Sequence, residues 1–355
     1  MQKTMIPIVV VWALLLLTGV AAAAQWQFYG SARMATFDIN SDVADLRPEP
    51  IAALPLPLPE RDDRLRWRQQ LNSRVGANVS HGPVSGRFEF GTGVNVRHLY
   101  GVWDYDVGQL LVGQSFTPLG SYAYSNQVFN ADDNLYRFGQ VFNGRRPMVE
   151  LVMDGFKVAL VRPHAATGLK TGGDVDLTYP KLEIAIHQTW DNAFLDLFGG
   201  YQTYEINGVS GGLDVDAYVF GLGAGVTAGP GFVKGGVYWA RNAGQYGLAN
   251  AGFDDAVFLD GRLVDNNTVG GLLVVGCRFG DHVGVEMGAG MTRHELEDDR
   301  YDTDESIAVY LQLPLTLAPG VSIVPEVGHY DFRQDLQRFD EGYTTYIGAK
   351  WQVNF

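Results

Sequence analysis

Residues 341–355 read EGYTTYIGAKWQVNF, and their parity constrains the fold more than any other feature of the chain. Tyr343, Thr345, Ile347, Ala349, Trp351, Val353 and Phe355 fall on one side. Gly342, Thr344, Tyr346, Gly348, Lys350, Gln352 and Asn354 fall on the other. Successive side chains of a strand point to opposite faces, so this segment is a strand set between two unlike environments. The dyad recurs upstream. Ile307, Val309, Leu311, Leu313, Leu315 and Leu317 share one face of their segment. Lys181, Glu183, His187 and Asp191 oppose Leu182, Ile184, Ile186 and Trp190. From Arg64 to Val79, even positions carry Arg64, Arg66, Arg68 and Arg74 against Leu65, Trp67, Leu71 and Val75. That segment reads as one continuous strand.

The N-terminus says where such strands must work. Lys3 is the only charge before the apolar run Ile6 to Val20, and Ala21 to Ala24 follow. A positive start, an apolar middle and a small-residue exit make a secretory signal peptide. It is expected over residues 1–24, with the mature chain, 25–355, forming one domain. No later stretch reaches the roughly 18 apolar residues of a membrane-spanning helix. An exported chain that enters a membrane without such a helix must do so as a closed barrel, because only helices and barrels satisfy every backbone group in lipid. The near-zero mean hydropathy agrees, since a barrel wall is half apolar and half polar.

Turns and loops set the strand number. Turn dipeptides stand at His81-Gly82-Pro83, Asp106-Val107-Gly108, Asp154-Gly155, Asp191-Asn192, Gly229-Pro230-Gly231, Gly280-Asp281 and Pro319-Gly320. Longer connections alternate with them: 41–63, 93–97, 117–144, 163–179, 207–211, 244–262, 295–302 and 333–340. The alternation predicts an all-β, antiparallel up-and-down transmembrane β-barrel of about sixteen strands, with short periplasmic turns and long outer loops. Trp26, Trp67, Trp103, Tyr105, Trp190, Trp239, Tyr310, Trp351 and Phe355 are expected to supply two interfacial girdles. The segment Arg47 to Pro59 (RPEPIAALPLPLP) reads as a stiff extracellular loop.

The connection Thr117 to Gly144, TPLGSYAYSNQVFNADDNLYRFGQVFNG, is long, aromatic and sparsely charged. Such a loop packs rather than disorders, and a wide barrel has a water-filled interior to receive it. Several features together resemble the general Gram-negative outer-membrane porins, the trimeric diffusion porins. They are the export signal, the first strand Gln25-Trp26-Gln27-Phe28-Tyr29-Gly30, the basic second strand, Leu99-Tyr100-Gly101-Val102, the hairpin segment Gly108 to Gln114, the loop after strand five and the final Phe355. The resemblance implies a third loop that folds inward and narrows the pore, its acids facing a ladder of arginines. Carried onto this chain, the constriction comprises Asp132 and Asp133 on the loop and Arg33, Arg66, Arg68, Arg74 and Arg87 on the wall, with Arg97 near a loop as a further candidate. It also implies that Phe355 is part of the signal read by the barrel assembly machinery, and that the chain is a homotrimer among outer-membrane lipids and lipopolysaccharide. Two departures stand out. The connection 93–97 is short where enterobacterial porins carry a long subunit latch, and the family's Pro-Glu-Phe-Gly-Gly-Asp run is missing from the third loop.

The functional expectation is a passive outer-membrane channel for small hydrophilic solutes and ions, with no reaction and no cofactor. The formal net charge of −14 argues against nucleic acid as a partner and suggests a mild preference for cations. Cys277, the single cysteine, excludes an internal disulfide or a multi-thiolate metal site, and falls on the apolar parity of its strand. The Asp298, Asp299, Asp302, Asp304 and Glu305 cluster reads as a solvated outer loop rather than a Ca²⁺ or Mg²⁺ site. Gly221-Leu222-Gly223-Ala224-Gly225 continues a strand and precedes no helix, so it is barrel wall rather than a phosphate loop. Two alternatives stay open at this point. One is a substrate-selective channel for sugars or small anions, with Tyr122, Tyr124, Phe129 and Tyr136 as a sliding surface. The other is a barrel that scaffolds an outer-membrane hydrolase or adhesin.

Overall fold

The computed structural model describes residues 24–42, 64–120, 123–163, 174–207, 212–246, 248 and 255–355. The expected signal peptide, apart from Ala24, and the proline-rich segment Arg47 to Pro59 lie outside the described residues. Nineteen strand segments form one sheet. In three wall strands two segments run in series, which leaves sixteen strands around a closed antiparallel barrel.

The wall runs β1 (Gln25–Asp42), β2 (Leu65–Gln69 and Arg74–His81), β3 (Val84–Gly91), β4 (Val96–Tyr105) and β5 (Gly108–Phe116). After the long third loop come β6 (Arg145–Met153), β7 (Phe156–Val161) and β8 (Asp174–Asp176 and Lys181–Trp190). Then follow β9 (Ala193–Asn207), β10 (Leu213–Ala228), β11 (Gly231–Arg241), β12 (Asn266–Phe279) and β13 (Val283–Leu296). The last are β14 (Thr303–Gln312 and Leu315–Ala318), β15 (Val321–Gln334) and β16 (Asp340–Asn354). All seven expected tight turns join neighbouring wall strands. Gly155 shows why one of them needs glycine. It lies at φ +78, and a Cβ there would meet the His187 carbonyl at 2.5 Å.

Closure is made by β1 and β16, in register from Ser31 opposite Asn354 to Asp42 opposite Tyr343. The other edge of β1 pairs with β2, so neither end of the sheet is left open. The pleat places Ile347 outward, 63% exposed, and Tyr346 inward, 1% exposed. Lys350 shares the inner face and reaches the third loop, while Trp351 and Phe355 are exposed on the outer face. The same alternation exposes Leu65, Trp67 and Val75 outside the barrel, and it turns Tyr310, expected in a girdle, inward, where it is 4% exposed and donates to Glu286 at 2.7 Å.

One expected strand is corrected. The segment Arg64 to Val79 is broken between Gln69 and Arg74. The break follows from competing hydrogen bonds. Ser73 exchanges bonds with the Arg33 backbone, accepting its amide at 3.0 Å and donating to its carbonyl at 3.2 Å. Gln70, fully buried, instead donates to the carbonyls of Val128 and Asn130 in the third loop, both at 3.0 Å.

The buried apolar core lies inside the barrel, between that loop and the wall. Phe129 stacks on Tyr346 at 3.8 Å and meets Phe37 edge-on at 5.2 Å. Phe138 packs on Tyr330 at 4.5 Å.

Candidate functional site

The loop between Phe116 and Arg145 is the element that shapes the lumen. It opens with a single turn, Pro118–Gly120, and carries a second short turn, Phe129–Asp132. The second is no regular helix, because Asn130 sits at φ 62 and ψ −98. Asp132, Asn134, Leu135 and Arg137 also have positive φ. Each such residue costs on the order of 1–3 kcal/mol and persists only where its surroundings over-determine it.

Wall carboxylates provide that over-determination. Glu183 on β8 accepts the Leu119 amide at 3.3 Å and also holds Asn143. Asp196 on β9 accepts the Tyr124 hydroxyl at 2.8 Å. Glu286 on β13 accepts the Asn126 backbone amide at 3.0 Å and its side chain at 2.6 Å. Glu326 on β15 accepts the amides of Val128 and Phe129 at 2.7 and 3.0 Å. Glycines complete the seat. A Cβ on Gly290 would collide with the Phe138 carbonyl, one on Gly223 with the Tyr124 ring, and one on Gly139 with the Gly271 backbone.

The expected constriction residues divide into two groups. Asp132 pairs with Arg33 and with Lys350, the latter at 3.1 Å, and accepts from Asn72 at 2.6 Å. Asp133 accepts from Asn130 at 3.0 Å, and burial raises its carboxyl pKa above the usual carboxylate range. Arg66 and Arg68 both donate to the Asn130 side-chain oxygen. Arg33, Arg66 and Arg68 therefore touch the loop itself. Arg74 and Arg87 stand away from it, in a cluster with Glu89 on the wall.

That cluster occupies the wall the loop leaves uncovered. Glu89 takes Arg87 and Arg97 at 2.6 Å and Arg74 at 3.5 Å, and Tyr29 donates to it at 2.9 Å. Glu89 is 1% exposed, whereas the Arg74 and Arg87 side chains remain 28% and 29% exposed. Further along, Arg145 lies 3.9 Å over the Phe116 ring and donates to His98 at 3.1 Å. Arg146 donates weakly to the Asn143 carbonyl at 3.4 Å. Sequence reading had not singled out Arg145 and Arg146, which sit where the loop rejoins the wall. Nor had it identified Glu183, Asp196, Glu286 and Glu326 as anchors. Their signal was an acid on the inner parity of an otherwise apolar strand.

Part of the connection expected outside, 244–262, also turns inward. Tyr246 and Leu248 are buried with Leu119, Val141, Phe198 and Tyr238. The buried Lys181 lies 4.7 Å over the Tyr246 ring. Two apolar side chains in a short Gly-Gln-Tyr-Gly-Leu run explain why this piece leaves water.

The expected aromatic sliding surface is corrected as well. Tyr124 and Phe129 are 4% exposed and face the wall, so they hold the loop in place. Tyr122 lies outside the described residues. Tyr136 stays half-buried, stacked on Phe142 at 4.1 Å.

The acidic outer loop is matched by arginines. Asp298 binds Arg262 and Arg300 at 2.8 and 2.7 Å, which holds its carboxyl below the usual range. Asp302 pairs with Arg338 at 2.8 Å and Glu305 with Arg333 at 3.1 Å.

No family model matches the chain, and no curated protein matches it. Solved structures do. The outer-membrane channel DcaP of Acinetobacter baumannii superposes with a TM-score of 0.71 at 14% identity, covering 94% of this chain and 98% of that one. The anion-selective porin from Comamonas acidovorans gives 0.62 at 13% identity over 94% of this chain and 100% of that one. OmpF of Salmonella typhi gives 0.62 at 9% identity over 92% and 97%. At these identities the likeness concerns architecture, and the chain has a porin-like fold.

Proposed function

We propose that this chain is a passive outer-membrane channel of a Gram-negative bacterium, catalysing no reaction and passing small hydrophilic solutes with a preference for anions. One observation carries the reading: the division of charge around the third loop. Glu183, Asp196, Glu286 and Glu326 lie beneath the loop and are occupied by its donors. On the uncovered wall stand Arg74, Arg87 and Arg97, with Glu89 as the carboxylate bound among them, and Arg145 and Arg146 stand next to them where the loop rejoins the wall. Five guanidinium groups against one carboxylate leave an excess of four positive charges beside the path. Walls of low dielectric focus such a field, so local charge outweighs the −14 of the whole chain. The preference reverses the one suggested by the total charge.

In this reading residues 1–24 are an export signal and residues 25–355 are the channel domain. Asp132 and Asp133 on the loop, with Arg33, Arg66, Arg68, Arg74 and Arg87 on the wall, form the constriction. The outer face contacts membrane lipid and lipopolysaccharide, and Phe355 serves the assembly machinery. A homotrimer is the expected assembly; a trimer form is among the similar structures, that of OmpT from Vibrio cholerae. Purified protein added to a planar bilayer should give stepwise conductance. A bilayer that stays silent while the protein remains folded would overturn the channel reading.

A further inference from the structure

The arginines beside the third loop differ in one respect. Arg33, Arg74, Arg87 and Arg97 each have a carboxylate of the protein within ion-pair reach. Among the described residues, no carboxylate pairs with Arg145. Its Nε donates to His98 Nε2 at 3.1 Å, and one face of the guanidinium lies 3.9 Å over the Phe116 ring. His98 is itself fixed, contacting the Ser115 hydroxyl through Nδ1 at 3.3 Å and meeting the Phe116 ring at 5.3 Å.

These contacts use the Nε edge and one face. The edge carrying both terminal amino groups makes no hydrogen bond among the described residues. Its plane is set by two rings, so little rotamer freedom is lost when it binds. Arg145 is half-buried. The ring of Phe142 lies 5.9 Å from Phe116 and stacks on Tyr136, continuing the apolar backing toward the loop.

We propose that Arg145 is a carboxylate-binding station within the channel, where its free amino edge takes both oxygens of a small permeating carboxylate. The inference rests on the channel reading and adds a substrate class to it. A fork of two parallel N–H donors matches a carboxylate and has no equivalent match in a spherical halide. Arg145 then sorts carboxylates from chloride, while the surrounding arginines set the general preference for anions.

The test uses the full-length channel in planar bilayers, with potassium chloride on one side and potassium acetate on the other. Arg145→Lys keeps the charge and removes the fork. Its acetate permeability relative to chloride should fall at least about twofold, with the chloride-over-potassium preference retained. Arg145→Gln should lower the acetate ratio at least as far, while the remaining arginines keep the chloride-over-potassium preference, reduced by the one charge removed. An unchanged acetate-to-chloride ratio in Arg145→Lys, with channels of normal conductance, overturns the station and leaves the channel reading standing. Wild-type protein that gives no conductance steps overturns the channel reading itself. Should Arg145→Lys fail to insert, added acetate on wild-type channels decides the matter. A saturating, concentration-dependent reduction of chloride current supports the station, and a strictly proportional one overturns it.

Discussion

The Gly30 amide donates to the Phe355 carbonyl at 2.6 Å, and the Phe355 amide donates back to the Gly30 carbonyl at 3.1 Å. The Phe355 ring fills the space a side chain at position 30 would occupy. This pair is the last link of the β1–β16 seam, the contact that removes both sheet edges. Deleting Phe355 removes two backbone bonds worth about 0.5–1.5 kcal/mol each, a modest loss for the finished barrel. It should instead lower the amount of assembled protein in the outer membrane several-fold, on the order of an edge left unpaired during closure. The conductance of each channel that does assemble should stay unchanged. Quantifying folded protein in membrane fractions beside single-channel recording separates the two effects, and normal membrane levels would contradict the seam's role.

The third loop is seated on glycine backbone, so its position should be sensitive to single methyl groups. Gly139 lies at φ +95 against Gly271, and Gly290 lies beneath the Phe138 carbonyl. Neither obstacle is a flexible side-chain end. Gly139→Ala and Gly290→Ala should each lift this part of the loop and raise single-channel conductance. At Gly139, backbone strain of roughly 1–3 kcal/mol adds to the clash. Current steps identical to wild type in both variants would count against a fixed loop.

Glu326 holds three donors, the amides of Val128 and Phe129 and the Tyr346 hydroxyl at 2.9 Å. Glu326→Ala leaves them without that acceptor, at a cost of about 1–3 kcal/mol per buried group. Glu326→Gln keeps one acceptor oxygen and should cost less. Open-channel noise should therefore rise in the order wild type, Gln, Ala. Equal noise in all three would show that the loop needs no carboxylate anchor.

How much of this was legible in the sequence follows from what each feature depends on. Strand parity and turn chemistry are local, so the sixteen strands, the seven turns and the inward face of Tyr346 and Lys350 could be read directly. The break at Gln70 could not, because it depends on a hydrogen bond to Val128, fifty-eight residues away. The same holds for Glu183, Asp196, Glu286 and Glu326. Each looks like an ordinary inward polar residue until the loop lies on it. Tyr124 and Phe129 read as a surface because aromatic content alone does not say which side of a loop faces water. On the proposed anion preference, the total charge is a poor guide for a related reason. Acids under the loop and on outer loops count in the sum and contribute little to the field along the uncovered wall.

Acidification should sharpen the anion preference. Burial raises the Asp133 carboxyl pKa, so the group takes up its proton at a higher pH than an ordinary aspartate. As pH falls through that raised value, one negative charge leaves the loop and the path becomes more positive. The fold favours the neutral acid, so the associated stabilisation is present at low pH and is lost as pH rises through the folded value. Asp133→Asn should show the low-pH selectivity at neutral pH and lose this part of the pH dependence. Selectivity measured from pH 4 to 8 in both proteins checks this, and parallel curves would refute it.

The most direct test of the charge division is the zero-current potential of wild-type channels in a tenfold potassium chloride gradient. Anions favoured by the excess arginines should give a reversal potential of the sign expected for chloride. Arg74→Gln combined with Arg87→Gln should shift it toward zero. A wild-type potential of the sign expected for potassium would contradict the account.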